Sequence, residues 1–163
     1  MTKTGLKKWT PANAKRTSTR KPLSSQPAWK QAEKEFENHF ENTKAAFIHR
    51  LSDTAQAKAV GGAAAFAAAQ PSDYVVTMRD LGMFYAEVKS THDEKSFHFS
   101  NIRKGQIGAC RRQLAAGGIY LIFIKNVLDE SWYCLPGEHF LQVFENKKHL
   151  TWEELEPFRY AML

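Results

Sequence analysis

The sequence has little cysteine, no long apolar run and, across its first thirty residues, no acid. Its two cysteines, Cys110 and Cys134, form no CxxC pair, so neither a zinc site nor a disulfide framework is expected. No apolar run reaches the roughly 18 residues that a membrane span needs, and no charged-then-apolar leader opens the chain. The phosphate-binding pattern GxxxxGKS/T is missing, which argues against a nucleotide cofactor. These absences favour a cytoplasmic protein with reduced thiols and no membrane association.

Positive charge is concentrated at the start of the chain. Eight of the 23 Lys and Arg residues lie within the first 30 positions, whereas the remaining residues carry 15 bases against 17 acids. Residues 1–27 have few large apolar side chains, so we expect a disordered basic arm before a folded domain at residues 28–163. Such an arm suits a polyanion, although a mitochondrial transit peptide or a solubilising tail would have a similar composition. The bases expected to contact DNA are Lys7, Lys8, Lys15, Arg16, Arg20 and Lys21.

Two strand-like runs, YVVTM and MFYAEVK, flank the turn-forming residues RDLG, which predicts a β-hairpin. A three-residue loop over residues 80–82, with Gly82 left-handed, would place Asp73 opposite Lys89. Because side chains alternate along a strand, Asp73, Glu87 and Lys89 would then share one face, with Asp73 diagonal to Glu87. A loop of two or four residues would turn Asp73 to the other face.

Two carboxylates and a lysine on one sheet face have a clear chemical use. Asp73 and Glu87 would hold a hard divalent cation such as Mg²⁺, for which Mn²⁺ is an acceptable substitute. The metal would neutralise charge on a phosphodiester and make bound water more acidic. Lys89 would orient the attacking water or stabilise the pentavalent phosphorus. The alternative is an ordinary solvated Glu-Lys pair on an edge hairpin, because this short pattern often arises by chance.

A longer run, AEVKSTHDEKSFHFSNIRKGQIGACRRQLAAGGIYLIFI, resembles the RecU family of Holliday-junction resolvases within the PD-(D/E)XK nuclease superfamily. In that family an E-x-K motif leads into S-F-x-x-x-N-I-x-x-x-Q and then a helix that ends in G-G-I. The similarity covers most of residues 30–125, including AFIHR at residues 46–50. The matching residues are Glu87, Lys89, Ser96, Phe97, Asn101, Ile102, Gln106, Gly117, Gly118 and Ile119.

The resemblance implies an α/β fold with a mixed central sheet, expected here to have four or five strands, flanked by helices. It implies a Mg²⁺-dependent endonuclease that resolves four-way junctions in recombination or repair, with the metal site at one sheet edge. Branched DNA would be its partner, and a homodimer is expected because symmetric cleavage of a junction needs two active sites. Two other functions stay open: a nuclease acting on flaps, nicks or duplex ends, and a non-catalytic DNA-binding module.

The resemblance also assigns roles around the metal. Asp73 and Glu87 would bind it, while Lys89 would orient the water. On a helix predicted from Ala28, Glu33 would assist directly or through water, with two nearby glutamates, at positions 35 and 37, as competitors.

A second helix is predicted over about residues 101–116, with Ser100 as its N-cap and Gly117 and Gly118 at its end. The resemblance places Gln106 of this helix near the metal, where its amide would hold a water or a phosphate. Four bases on the helix would contact DNA phosphates, unless they are simply a solvated face. These bases are Arg103, Lys104, Arg111 and Arg112.

The segment from Ser52 to Gln70 departs from the family. RecU proteins carry a longer basic stalk here that enters the junction, whereas this segment is short, rich in alanine and has Lys58 as its one base. If the segment still enters the branch, Lys58 is its expected DNA contact.

Overall fold

The structure is a computed structural model that describes residues 27–51 and 70–162. The strands are β1 (Ala46–Arg50), β2 (Tyr74–Met78), β3 (Gly82–Thr91), β4 (Ser96–His98), β5 (Ile119–Asn126), β6 (Trp132–Pro136), β7 (His149–Thr151) and β8 (Arg159–Tyr160). The helices are α1 (Ala28–Asn42), α2 (Lys104–Ala115), α3 (Gly137–Phe144) and α4 (Trp152–Leu155), with 3-10 turns at Phe99–Asn101 and Glu156–Phe158. Within these described ranges no helix combines the length and apolarity that crossing a membrane requires.

The main sheet has six strands in the order β1-β2-β3-β5-β6-β8, while β4 and β7 pair separately. Strands β3 and β5 are parallel and the other pairs are antiparallel, so the predicted mixed sheet flanked by helices is confirmed. The expected number of four or five strands is wrong. The sixth strand, β8, has two residues and forms by pairing with β6, so it carries too little pattern to be found in the sequence.

Helices cover the two faces of the sheet with separate apolar clusters. Helix α1 lies on one face, where Phe36 and Phe40 are buried against Tyr74, Phe84 and Phe123. Helices α2 and α3 lie on the other face with a second cluster of buried residues, which includes Ile107, Cys110, Ile122, Leu135 and Phe140. Because β3 and β5 are covered on both sides, a polar residue on either strand is buried wherever a helix lies over it.

The hairpin register differs from the prediction by two residues. Met78 pairs with Gly82, so the loop is residues 79–81 and Gly82, which is left-handed as predicted, begins β3. Continuing this register places Asp73 opposite Glu87 rather than Lys89. Because a shift of two preserves the alternation of side chains, Asp73 stays on the face of Glu87.

Two further expectations are wrong. The residues predicted to form the metal site do not lie at a sheet edge, because β1 flanks β2 and β5 flanks β3. Helix α2 begins at Lys104, and Ser100 lies in the preceding 3-10 turn instead of capping the helix. The side chain of Gln106 supplies the cap, since its Oε1 accepts the backbone N–H of Arg103 at 2.8 Å.

Candidate active site

The carboxyl groups of Asp73 and Glu87 meet on the sheet face covered by α2. Asp73 lies just before β2, and its carbonyl accepts the backbone N–H of Leu51 at 2.9 Å. Its Oδ2 accepts the backbone N–H of Val88 at 2.9 Å. Main chain and side chain of Asp73 are therefore both held against neighbouring strands, which directs its carboxylate toward Glu87.

Glu87 is a buried acid with an unusual charge state. Its side chain is 0% exposed, and burial together with the Asp73 carboxylate raises its pKa to about 8. Lys89 opposes this effect, because its Nζ lies 2.5 Å from Glu87 Oε1. Lys89 keeps 17% of its side chain exposed and so faces the surface from which a substrate would approach. A bound divalent cation would favour the ionised form of Glu87 and so counteract this rise in its pKa.

Gln106 and Tyr120 complete the surroundings of Glu87. Gln106 Nε2 donates to Glu87 Oε1, so the amide links Glu87 to the start of α2. The Tyr120 hydroxyl lies 3.4 Å from Glu87 Oε2 and donates to the carbonyl of Pro71 at 2.9 Å. Sequence reasoning missed Tyr120, because a tyrosine in a buried strand has the pattern of an ordinary core residue.

The three candidate glutamates of α1 differ in their contacts. Glu33 Oε2 lies 2.6 Å from Arg50 Nη2, and burial together with Asp73 raises the pKa of Glu33 while Arg50 opposes the rise. Glu35 instead binds Lys125 on β5, with both carboxylate oxygens 2.7 Å from Nζ. Of these two glutamates, Glu33 is the one whose pKa is affected by Asp73, whereas Glu35 is paired with Lys125.

Glu37 shares Arg50 with Glu33. Its Oε1 lies 2.9 Å from Arg50 Nη1 and accepts the Tyr74 hydroxyl at 2.8 Å. The Arg50 side chain is 49% exposed, which leaves part of the guanidinium available to meet an anion beside the site. Arg50 was not among the predicted site residues, and the one signal in the sequence was its position at the end of the AFIHR strand.

The four DNA-contacting bases predicted on the second helix are exposed. Two of them, Arg103 just before α2 and Lys104 at its first position, lie close to the point where Gln106 meets Glu87. A positive surface therefore adjoins the carboxylate pair. The predicted contacts Lys7, Lys8, Lys15, Arg16, Arg20, Lys21 and Lys58 lie outside the described residues.

The donor set suits a hard divalent cation. Asp73 and Glu87 supply carboxylate oxygens, the ligands that such cations prefer, and Mg²⁺ commonly uses one or two carboxylates together with waters and substrate oxygens. No group of three or more His, Cys, Asp or Glu side chains in the described part of the chain is arranged to hold a metal. Waters and phosphate oxygens would therefore have to complete the coordination.

Comparison with known proteins gives one family match and a match to a solved structure. A family model described as Recombination protein U (RecU) matches residues 33–161. No curated protein matches the sequence. Among solved structures, Hjc of Archaeoglobus fulgidus, a Holliday junction resolvase from an archaeal hyperthermophile, matches with a TM-score of 0.51 and 12% identity. The match covers 81% of this chain and 94% of that chain, and at this identity it establishes a shared fold.

Proposed function

Because this chain belongs to the RecU family of Holliday-junction resolvases, we propose that it cuts four-way DNA junctions with Mg²⁺ held by Asp73 and Glu87. The chain is a metal-dependent, structure-selective endonuclease that hydrolyses DNA phosphodiester bonds. The observation that carries the site assignment is the carboxylate pair of half-buried Asp73 and buried Glu87, in which burial and Asp73 raise the pKa of Glu87 to about 8. Lys89 offsets part of the repulsion between the two acids, and a divalent cation between them would relieve the rest.

Each neighbouring side chain has a role in this proposal. When bound, Mg²⁺ neutralises charge on the phosphodiester and lowers the pKa of a bound water. The Lys89 ammonium lies 2.5 Å from Glu87, and metal binding would release it to orient the water or to neutralise negative charge on the oxygens of the pentavalent phosphorus. Gln106 holds Glu87 through its amide and keeps the carboxylate aimed at the metal.

Glu33 is the α1 acid that we assign to the site. It is 16% exposed and its pKa responds to Asp73, whereas Glu35 is occupied by Lys125. Arg50 neutralises Glu33 until metal binds. Its partial exposure also allows the guanidinium to contact the phosphate next to the scissile bond.

DNA binding in this proposal depends on two basic surfaces. The exposed bases of α2 contact phosphates next to the cut, and the basic arm at residues 1–27 follows the duplex further away. The members of the family are generally dimers, and we infer that this chain is a homodimer, because paired cuts across a junction need two active sites. Lys58, if it enters the branch, adds a contact at the centre.

Cleavage of fixed branched substrates tests this function. A labelled four-way junction should be cut in paired strands with Mg²⁺ and left intact with EDTA. An excess of linear duplex should compete weakly, and sedimentation should give a dimer. A monomer that cut linear duplex as fast as the junction would contradict junction resolution, while cleavage independent of added metal would contradict the metal site. Preference for flaps, nicks or ends would indicate a related nuclease with another substrate.

A further inference from the structure

Tyr120 is the buried aromatic residue that stands next to the carboxylate pair. It lies in β5 opposite Tyr85 of β3 and is 1% exposed. Ile122, two residues further on, pairs with Glu87, so the side chain of Tyr120 lies on the sheet face of Glu87. Burial is the largest cause that raises the pKa of Tyr120, with Glu87 adding to it, and the phenol therefore stays protonated as a hydrogen-bond donor.

The Tyr120 hydroxyl contacts both segments that deliver the carboxylates. It donates to the Pro71 carbonyl at 2.9 Å and lies 3.4 Å from Glu87 Oε2. A hydroxyl has a single proton, so the shorter hydrogen bond to the Pro71 carbonyl is the stronger of the two and the one to Glu87 is the weaker.

The contact with Pro71 controls how the chain enters β2. Proline has no N–H, so its carbonyl is the main-chain group through which Pro71 can be held. Asp73 follows two residues later, after Ser72, whose Oγ donates to the Tyr74 carbonyl at 2.8 Å. The segment is thus fixed from one side by Tyr120 and from the other by the start of the strand.

We propose that Tyr120 is a positioning residue that sets the spacing of the Asp73 and Glu87 carboxylates by holding the Pro71 carbonyl beside Glu87. This inference rests on the proposed metal-binding function of the pair. Groups that support metal ligands through hydrogen bonds change metal affinity by about 10- to 100-fold when they are removed. Loss of the hydroxyl should therefore weaken Mg²⁺ binding while the ring continues to fill the core.

The test compares Tyr120→Phe with Tyr85→Phe in the full chain. The control removes a hydroxyl from the partly buried ring that packs edge-on against Tyr120, with ring centroids 6.3 Å apart. Calorimetry without DNA measures Mg²⁺ affinity, and cleavage of a saturating four-way junction gives the Mg²⁺ concentration for half-maximal rate. For Tyr120→Phe the Mg²⁺ dissociation constant and this half-maximal concentration should both rise by about 10- to 100-fold, with kcat recovered at high Mg²⁺. Tyr85→Phe should match the wild type.

Several outcomes would overturn the inference. One is a Tyr120→Phe protein whose Mg²⁺ affinity stays within about twofold of the wild type, well short of the loss expected for a supporting group. Equal weakening in both variants would point to a general packing effect, and a Tyr120→Phe protein that failed to fold would make the hydroxyl a folding element. If the wild type cuts junctions with Mg²⁺ in these cases, the proposed function stands. A wild type that neither bound Mg²⁺ nor cut would remove both proposals.

Discussion

Replacing Glu87 by glutamine should make the metal-free protein more stable while it abolishes cleavage. Glutamine keeps the size of the side chain and does not ionise, so it removes the cost of burying an acid beside Asp73. The pKa of Glu87 rises from 4.5 to about 8 in the folded protein. Because the folded pKa lies above the unfolded one, the stability contributed by this carboxyl is complete below pH 4.5 and is lost as the pH rises to about 8.

The size of the effect follows from this shift. Each pKa unit corresponds to about 1.4 kcal/mol. The advantage of Glu87→Gln in the free energy of unfolding should therefore grow from about 1 kcal/mol at pH 5 to about 3 kcal/mol at pH 7. It should level off near about 5 kcal/mol above pH 9. A constant offset from the exchange of a carboxyl for an amide does not alter the trend with pH.

Urea unfolding between pH 5 and pH 9 in EDTA, followed by tryptophan fluorescence, measures this trend. The control is Glu94→Gln, which changes an exposed glutamate in the loop after β3 and should leave the pH dependence of the wild type unchanged. Adding Mg²⁺ should stabilise the wild type and have little effect on Glu87→Gln. If the difference in the free energy of unfolding between Glu87→Gln and the wild type stayed constant across this pH range, or fell as the pH rose, Glu87 would not be a buried acid with a raised pKa.

Three other changes test the remaining parts of the site and the arm. Asp73→Ala should lower cleavage to background and leave junction binding in Ca²⁺ largely intact; near wild-type cutting would remove Asp73 from the metal site. Lys89→Ala should lower the cleavage rate constant by about 100-fold, with a smaller change in junction affinity. Single-turnover cleavage measures the first quantity and gel shift the second. Equal reductions in cleavage rate and junction affinity would make Lys89 a binding residue. Deleting residues 1–27 should weaken DNA binding and reduce the slope of log affinity against log salt by about 0.9 for each phosphate that the arm neutralises, while an unchanged slope would show that the arm does not touch DNA.

The sequence by itself determined the chemistry on the central hairpin. Side chains alternate along a strand, so Glu87 and Lys89 had to share a face. The predicted loop was residues 80–82, and the actual loop is residues 79–81. This difference shifts the register by two residues, which leaves the alternation of side chains unchanged. Asp73 therefore still lies on the face of Glu87 and Lys89. Buried strands and glycine helix ends were also readable, as β5 and the left-handed Gly117 illustrate. These features depend on neighbours in the sequence, and local patterns report them directly.

Tertiary structure decided which distant groups surround the carboxylates of Asp73 and Glu87. Glu33 and Glu35 lie on the same helix and look alike in sequence, yet Arg50 holds one near Asp73 while Lys125 binds the other. Tyr120 reaches Glu87 because β5 is parallel to β3 in one register. The two-residue strand β8 exists through its pairing with β6. In each case the deciding interaction joins residues far apart in the chain, and its energy depends on burial and distance, which no local pattern contains.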